Sequence, residues 1–290
     1  MNRPSDLVRL LRPHEWTKNG FVFTGLLFGH GLRDIALVYQ VIIAAVAFSL
    51  ISSGVYIVND LADRESDRRH PEKKNRPLAL GTVSVSVAVA LAVALSIVGL
   101  GLGLLASSRV FLVLSIYIII NLGYSFGLKR IVIVDVFIIA SGFMLRILAG
   151  TVGVGIPPSR WLLLCGLMGT LLLGFAKRRA EVNTLSDERT VHREVLGYYA
   201  PVFLDTMIGI TAAGAILSYS LYAVSPDAIR IHGTEHLIYT VPLIMYGLFR
   251  YLYLLYHCGV GADPARELAR DPHMLFAGSA WLLVTLWLIT

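Results

Sequence analysis

Apolar stretches of about 20 residues recur along the whole chain, and they restrict its fold more than any other feature. A helix needs about this length to cross the hydrocarbon layer of a membrane, where all backbone polar groups must be bonded internally. Only 15% of the residues are charged and 56% are hydrophobic, which leaves too little charge for a surface surrounded by water. The alternating pattern of barrel strands is absent, so we predict an all-α membrane protein.

Nine spans are predicted, and together they form one bundle of helices in a single transmembrane domain over residues 1–290. No linker is long enough to divide the chain, and residues 1–18 are too polar for a cleavable signal peptide. The first span is the least apolar of the nine. The predicted spans cover residues 19–33, 36–58, 83–106, 109–127, 131–153, 160–176, 201–224, 236–257 and 273–290.

Lysine and arginine side chains are concentrated in every second loop between these spans. The positive-inside rule therefore predicts that the N-terminus and the loops after spans 2, 4, 6 and 8 are cytoplasmic. The net charge of +6 follows from this bias and from attraction to anionic lipid headgroups. We accordingly expect contacts with membrane lipids and no binding of nucleic acid.

The loop after the second predicted span carries the most specific pattern, because its acidic residues are spaced at helical intervals. If the helix continues through the loop, Asp60, Asp63 and Asp67 lie within about 60° of one another, whereas Glu65 points elsewhere. Carboxylates on one stripe repel each other, so a cation is expected among them. Their oxygens, with the amide of Asn59 beside them, suit Mg²⁺, which completes its shell with water and substrate phosphates. The alternative is a solvated helix end whose aspartates pair with nearby arginines.

Two groups of basic residues accompany this pattern, one after the aspartates and one at the end of the sixth span. The groups consist of Lys73, Lys74 and Arg76 and of Lys177, Arg178 and Arg179. Both suit phosphate oxygens that a metal leaves free, with the second group expected to face the metal-bound phosphate. Topology alone also explains them, since positive charge is favourable at helix C-termini and near lipid headgroups.

Charged residues inside the predicted spans are costly in a membrane, so they indicate function or a specific buried partner. Asp135 and Arg146 lie in span 5, eleven residues apart, so that they share a helix face at a distance of about 16 Å without pairing. Asp135 lies near enough to the cytoplasmic end to join a metal-phosphate site. Arg146 is deeper and is expected to pair with a polar group on another helix. Asp205 and Arg250 are weaker candidates for the same cavity.

Two other patterns are interpreted as structural. Gly99, Gly101 and Gly103 lie in span 3 without the strand of a nucleotide-binding loop, which indicates close helix packing. Cys165 and Cys258 lie at different predicted depths and lack metal-ligand spacing, so we expect two unpaired thiols.

The aspartate pattern that begins at Asn59, N-D-x-x-D-x-x-x-D, resembles the signature of the UbiA superfamily of intramembrane prenyltransferases. Nine helices with long loops after the second and sixth are also similar to that family, as is Tyr124 followed by Lys129 and Arg130. The resemblance implies a UbiA-like helical fold and an enzyme that holds a diphosphate through Mg²⁺. Family members typically carry a second aspartate motif after span 6, where this chain has its second basic group. That departure argues against ordinary aromatic prenylation.

One branch of the superfamily is similar to this chain along nearly its full length. Its enzymes transfer a 5-phosphoribosyl group from phosphoribosyl diphosphate to a polyprenyl phosphate and release pyrophosphate. The matching stretches begin at Arg12, His70, Lys177, Tyr239 and Gly261. The resemblance implies that the aspartates and Mg²⁺ hold the leaving diphosphate, while the second basic group holds the 5-phosphate. The lipid phosphate then attacks the ribose C1 from the opposite face, and it needs no general base because it is already an anion.

The charge pattern and the resemblance together give the residues expected to contact the substrates. Lys18 and Lys129 are expected to orient one phosphate or the other. The other expected substrate contacts are Asn59, Lys73, Arg76, Tyr124, Asp135, Arg146, Lys177, Arg178, Arg179 and Glu181. The product would be a decaprenyl-type lipid that serves cell-wall arabinan synthesis at a bacterial plasma membrane. A homo-oligomer is compatible with the sequence.

Two alternatives stay open at the level of sequence. A prenyltransferase of the same fold would alkylate an aromatic or lipid acceptor with an isoprenyl diphosphate. A transporter or lipid-binding membrane protein would also explain the buried charges, although the sequence lacks the repeated halves that are typical of transporters.

Overall fold

The computed structural model describes residues 3–29, 31–69, 73–184, 194–257 and 270–289. All regular structure within these ranges is helical, in agreement with the predicted fold class. Contacts divide the chain into two compact units. The first unit comprises Met1–Ile138 and Leu145–Pro157, and the second comprises Ile139–Met144 and Pro158–Thr290. The single domain expected over residues 1–290 stays a prediction.

The first unit contains the helices that surround the aspartate pattern. Its α-helices are α1 (Pro4–Leu11), α2 (Thr24–Phe28), α3 (Ile35–Ala62), α4 (Arg64–Arg69), α5 (Pro77–Leu80), α6 (Val85–Ala106), α7 (Ser108–Phe126) and α8 (Val134–Ala149), of which residues 139–144 belong to the second unit. Tighter 3₁₀ helices lie at Pro13–Phe23, Gly31–Arg33, Lys73–Asn75, Leu128–Arg130 and Val152–Val154. Within this unit α3 packs against α6, α7 and the first 3₁₀ helix, and α1 lies against α3 and α5.

The second unit is built around two helix pairs. Its α-helices are α9 (Arg160–Thr184), α10 (Pro201–Ala223), α11 (Pro226–His232), α12 (Val241–His257) and α13 (Pro272–Ile289), with 3₁₀ helices at Glu194–Tyr198 and His236–Thr240. Here α9 packs along α10, and α13 packs along α12. Cys165 in α9 is a free thiol as predicted, whereas Cys258 lies outside the described residues.

Eight helices within the described ranges are long and apolar enough to cross a membrane, and they coincide with the second to ninth predicted spans. The first predicted span, a helix over residues 19–33, is wrong in form. The chain there folds instead as the 3₁₀ helix Pro13–Phe23, the short α2 and a 3₁₀ turn at Gly31–Arg33.

The 3₁₀ helix Pro13–Phe23 nevertheless runs antiparallel to α3. Trp16 Nε1 donates to Ser53 Oγ at 3.0 Å, and Asn19 Nδ2 donates to Ser49 Oγ at 2.8 Å. A 3₁₀ helix has three residues per turn, so Trp16 and Asn19 lie on the same side and both face α3. A search for the 3.6-residue period of an α-helix does not detect this three-residue period. With a rise of about 2.0 Å per residue, the 11 residues of this 3₁₀ helix extend about 22 Å, less than the thickness of a hydrocarbon layer.

Side chains at the first positions of the long helices explain where those helices begin. Asp34 caps α3, Ser84 caps α6 and Ser107 caps α7, each by accepting a hydrogen bond from the backbone N–H three residues further on. These bonds satisfy donors that have no partner inside the helix.

The helix α6 approaches its neighbours closely at two of its three glycines. A Cβ added at Gly99 would lie 2.6 Å from Ile51 Cγ1, and one at Gly103 would lie 2.5 Å from Leu114 Cδ1. Gly101 has no such atom within 4 Å, because a shift of two residues turns it to the other side of the helix. The predicted close packing is therefore confirmed at Gly99 and Gly103 and is wrong for Gly101.

Candidate active site

The predicted aspartates lie where α3 ends and α4 begins. Asp60 is in the last turn of α3, and Asp63 follows that helix with its N–H donating to the carbonyl of Asn59 at 2.9 Å. The N–H of Asp67 in turn donates to the carbonyl of Asp63 at 2.8 Å. We had considered a continuous helix here; the structure instead has a break at Asp63, which backbone hydrogen bonds bridge on both sides.

Asp60 and Asp67 are buried and share one cation. Arg76 Nη1 donates to Asp60 Oδ1 at 2.9 Å and to Asp67 Oδ2 at 2.7 Å. Burial raises the pKa of Asp67, while the charge of Arg76 and its hydrogen bond act in the opposite direction, as does the charge of Lys73. Arg76 and Lys73, both expected at the site, therefore lie beside the aspartates.

Arg12 also belongs to this cluster, although the sequence patterns did not single it out as a site residue. Its Nη2 lies 2.6 Å from Asp60 Oδ1 and 2.8 Å from Asp60 Oδ2, and its guanidinium lies 5.3 Å from the ring centroid of Tyr56. Arg12 also has a left-handed backbone, with φ of 52°, at the junction of α1 and the 3₁₀ helix. A non-glycine residue in this conformation is strained, and such strain is concentrated at functional positions.

Asp63 pairs with a lysine from another part of the first unit and with an amide one turn earlier in the chain. Its Oδ1 forms an ion pair with Lys129, which lies in the 3₁₀ turn after α7. Its Oδ2 accepts from Asn59 Nδ2 at 3.3 Å, and Asn59 Oδ1 accepts from Ser125 Oγ at 3.3 Å. The structure thus brings Lys129 and Asn59 to the aspartates, and Tyr124, next to Ser125, is half-buried in α7.

Glu65 does not join this cluster. Its carboxylate is exposed and accepts from Arg68 Nη1 at 2.9 and 3.1 Å. Lys18 pairs with Glu15 one turn earlier in the same 3₁₀ helix. The contact of Lys18 with a substrate phosphate therefore stays a prediction.

Asp135 and Arg146 lie at opposite ends of α8, in its first and last turns, and both are buried. Two residues before Asp135, Ile133 has a φ of 70°, a marked outlier for a β-branched side chain. Arg12 and Ile133 are the two non-glycine residues with positive φ in the described ranges; Arg12 contacts Asp60, and Ile133 precedes Asp135 by two residues. A role of Asp135 in the site stays a prediction.

Arg146 is enclosed by polar and aromatic groups of the first unit. Its Nε donates to Asn19 Oδ1 at 2.7 Å, and its Nη2 donates to Tyr117 OH at 3.4 Å. The guanidinium lies 5.0 Å from the ring centroid of Phe48 and 5.1 Å from that of Tyr117. The expected polar partner on another helix is thus confirmed, while substrate binding by Arg146 stays a prediction.

The second basic group lies in the second unit, at the end of α9. Arg178 is fully buried and pairs with Glu181, and Arg179 donates to Asp205 Oδ1 at 2.7 Å and bonds Asn183. Lys177 is half-buried in the same turn. The two arginines are therefore already engaged within their own unit, and the expected orientation of this group toward a metal-bound phosphate stays a prediction.

Arg250 has a carboxylate partner within the second unit. Its Nη2 donates to Asp271 Oδ2 at 2.7 Å. The hydrogen bond from Arg250 lowers the pKa of Asp271 to about 2, and the backbone N–H of Met274 contributes in the same direction. The pair thus ties α12 to the start of α13.

The aspartate cluster of the first unit has oxygen atoms of the kind that bind a divalent metal, although its carboxylates pair with protein cations in this structure. Within the described part of the chain, no three His, Cys, Asp or Glu side chains converge so as to hold a metal ion. However, Arg76 Nη1 sits between an oxygen of Asp60 and an oxygen of Asp67, where a cation that bridges both carboxylates would lie. Carboxylate and amide oxygens are the ligands that Mg²⁺ prefers.

The chain belongs to the UbiA prenyltransferase family, whose model matches residues 20–268. It is 31% identical over 285 residues to the decaprenyl-phosphate phosphoribosyltransferase of Mycobacterium tuberculosis, covering 97% of this chain and 93% of that one. It is 36% identical over 227 residues to the protein of the same name from Corynebacterium glutamicum, covering 76% and 68% of the two chains.

A solved structure of a UbiA homolog from Archaeoglobus fulgidus, bound to GPP and Mg²⁺, has the same fold. The TM-score is 0.74 at 17% sequence identity, with 98% of this chain and 99% of the homolog covered. The predicted UbiA-like fold is thus confirmed. Family, relatives and apolar helices together define a multi-pass membrane enzyme of the prenyltransferase type.

Proposed function

We propose that this enzyme transfers a 5-phosphoribosyl group from phosphoribosyl diphosphate to a polyprenyl phosphate of the decaprenyl type, with Mg²⁺ as cofactor and pyrophosphate as leaving group. The names of the curated relatives support a decaprenyl phosphate acceptor and transfer of a phosphoribosyl group, whereas the donor is the one implied by the resemblance described above. The observation that carries the proposal is the cluster of Asp60, Asp63 and Asp67 with Arg12, Arg76 and Lys129. Such a site offers hard oxygens for a metal and fixed cations for phosphate oxygens.

Each set of residues has a distinct task in this reaction. Asp60, Asp63 and Asp67 would hold the metal, which supplies electrostatic stabilisation of the charge that develops on the leaving diphosphate. Arg76 and Lys129 bind diphosphate oxygens and orient the leaving group. The bond between the ribose C1 and the diphosphate oxygen breaks, and a phosphate oxygen of the lipid forms the new bond to C1. The lipid phosphate is an anion at neutral pH, so the site requires no general base.

The second basic group is assigned to the 5-phosphate of the donor. Arg178 and Arg179 pair with Glu181 and Asp205, so they would contribute to binding of this phosphate mainly through their fixed positive charge, together with that of Lys177. This assignment rests on the resemblance to the phosphoribosyl-transferring branch.

The donor is water-soluble and the acceptor is a lipid, so the site must lie at a membrane boundary. We place the N-terminus and the site loops at the cytoplasmic face of a bacterial plasma membrane, on the basis of the lysine and arginine distribution. The product would serve the synthesis of cell-wall arabinan. A homo-oligomer remains compatible with this arrangement.

A second candidate function is prenylation of an aromatic or lipid acceptor with an isoprenyl diphosphate. It is favoured by the structural likeness to a homolog bound to GPP and Mg²⁺. The basic group at the end of α9 disfavours it, because family members that hold isoprenyl diphosphates typically carry aspartates there. Membership of an enzyme family leaves no support for a transporter.

A donor-labelling assay separates the two candidates. Purified protein in lipid nanodiscs receives Mg²⁺, decaprenyl phosphate and phosphoribosyl diphosphate labelled in the ribose. We expect a labelled lipid and one equivalent of pyrophosphate. A parallel reaction with labelled geranyl diphosphate and 4-hydroxybenzoate is expected to give no product. Labelled product only in the second reaction would overturn the proposal.

A further inference from the structure

We propose that Arg12 and Arg76 are internal counter-ions of the aspartate site, which a divalent metal displaces efficiently only when a diphosphate binds with it. Metal and diphosphate would then bind cooperatively, and free metal would bind weakly. This inference rests on the part of the proposed function that assigns a metal diphosphate to this site. It adds an order of events and a role for Arg12.

The carboxylate oxygens are already occupied by guanidinium groups. Arg12 Nη2 contacts both oxygens of Asp60, at 2.6 and 2.8 Å, and Arg76 Nη1 contacts Asp60 Oδ1 and Asp67 Oδ2. A cation that bridges Asp60 and Asp67 must take the place of Arg76 Nη1. Binding of metal therefore breaks existing charge-assisted hydrogen bonds, which lowers the affinity for metal alone.

The two arginine side chains are also more exposed than the carboxylates. The side chain of Asp60 is 3% exposed and that of Asp67 is 5% exposed, whereas Arg12 and Arg76 are 18% and 25% exposed. A diphosphate would therefore reach the arginine side chains more readily than a metal ion would reach the carboxylates of Asp60 and Asp67. Guanidinium groups that turn outward can bind phosphate oxygens in a bidentate manner.

The charge of the cluster favours binding of metal and diphosphate together. Its direct ion pairs join three carboxylates to three cations, so these pairs have no net charge. A divalent ion alone adds two positive charges to a partly buried site, and Lys73 is close enough to lower the pKa of Asp67. A diphosphate adds negative charge that offsets this surplus.

The arginines and Asp60 differ in where the backbone holds them. Arg12 lies between α1 and the 3₁₀ helix, and Arg76 immediately precedes α5. Asp60, by contrast, is held within α3. In the proposed exchange the arginine side chains would therefore change partner while the buried carboxylate keeps its place.

Manganese binding tests this inference without turnover. Isothermal titration and electron paramagnetic resonance would measure the affinity of the purified protein for Mn²⁺ alone and for Mn²⁺ with pyrophosphate, after correction for the Mn–pyrophosphate complex in solution. We expect pyrophosphate to raise the Mn²⁺ affinity of the unchanged protein by about tenfold or more. Equal affinities with and without pyrophosphate would overturn the inference.

Two variants provide a second test, because they are expected to strengthen the binding of Mn²⁺ alone. Arg12→Gln and Arg76→Gln are each expected to raise the affinity for Mn²⁺ alone by about tenfold and to reduce the enhancement by pyrophosphate. Arg69→Gln is the matched control, because it removes the same charge from an exposed position at the end of α4. Unchanged or weaker binding of Mn²⁺ alone to both folded variants would contradict the inference. If a variant fails to fold, the coupling measured on the unchanged protein decides the question.

The outcome is independent of the identity of the substrates. A protein that couples Mn²⁺ to pyrophosphate but transfers no phosphoribosyl group would retain the counter-ion mechanism and lose the proposed function. A protein that transfers the phosphoribosyl group but does not couple Mn²⁺ to pyrophosphate would retain the proposed function and lose the counter-ion mechanism. The two failures are therefore distinguishable.

Discussion

Arg146 and Asn19, 127 residues apart in sequence, are joined by a buried hydrogen bond of 2.7 Å between Nε and Oδ1. This bond ties the 3₁₀ helix Pro13–Phe23 to α8, at a level where Phe48 and Tyr117 cover the guanidinium. All of these contacts lie within the first unit. It gives Arg146 a structural task that is separable from substrate binding.

Replacing Arg146 is expected to destabilise the protein. Arg146→Met should lower the free energy of unfolding by about 1–3 kcal/mol, because Asn19 loses a buried partner. Thermal unfolding in detergent measures this change, with Arg109→Met at an exposed position of α7 as the control. Asn19→Leu combined with Arg146→Met should cost less than the sum of the single changes. An unaltered melting temperature with a raised KM would instead indicate that Arg146 contacts substrate.

The aspartates and Glu65 are expected to differ sharply in their effect on turnover. Asp60→Asn and Asp63→Asn should each reduce the magnesium-dependent rate by about 100-fold or more, since each removes a charged oxygen ligand. Glu65→Gln should be mild, because Glu65 is exposed and pairs with Arg68. Pyrophosphate release gives the rates. A loss at Glu65 as large as that at Asp60 would refute the assignment of the cluster.

Lys129 is expected to contribute to binding of the donor diphosphate. Lys129→Met should lower kcat/KM for the donor by about 10- to 100-fold through the loss of a charge-assisted hydrogen bond. Lys129→Arg should recover part of this loss. The neighbouring Arg130 is exposed in the same 3₁₀ turn, so Arg130→Gln serves as the control. Equal effects of the two neutral variants would indicate only a general influence of positive charge.

Removal of divalent metal is expected to abolish turnover while leaving the fold intact. Asp60, Asp63 and Asp67 each pair with a protein cation, so the carboxylates remain neutralised without metal. Addition of EDTA should therefore stop product formation and shift Tm by no more than about 2 °C. Added Mg²⁺ should restore the rate. A large fall in Tm would show that the metal is part of the folded structure and that the protein cations do not suffice.

Two glycines in α6 provide a matched pair for helix packing. Gly99→Ala should destabilise the protein by about 1–3 kcal/mol, because its Cβ would lie 2.6 Å from Ile51 Cγ1. Gly101→Ala has open space and should be neutral or stabilising by up to about 1 kcal/mol, owing to the better helix propensity of alanine. Thermal unfolding of both variants is the measurement. Equal losses would contradict the packing described for Gly99.

Local patterns predicted that Asp60 and Asp67 lie near each other and that Glu65 stays apart from them. The spacing of Asp60, Asp63 and Asp67 and the exposure of Glu65 follow from helical geometry over a few residues. The spacing did not predict that the helix is interrupted at Asp63, because the same residues at the same spacing are compatible with a continuous helix and with an interrupted one. The shared partner Arg76 is only nine residues from Asp67, and its basic group was recognised.

Long-range partners were harder to predict. Arg12 and Asp60 are 48 residues apart, and nothing in either local pattern identifies the pair. The local signal in the sequence was that Arg12 directly precedes Pro13, at the start of the segment that folds as a 3₁₀ helix. The first span was misjudged for a related reason, since a 3₁₀ helix repeats every three residues and dilutes its apolar face with Lys18 and Asn19.

The segment between Arg12 and Asn19 is tied at both ends, by Asp60 at one and by Arg146 at the other. Each residue of a 3₁₀ helix advances the chain by about 2.0 Å and rotates it by about 120°. Inserting or deleting one residue here would swing the Arg12 guanidinium away from Asp60 even if every side chain were retained. The segment is thus a spacer of fixed length, and its residue count matters as much as its composition.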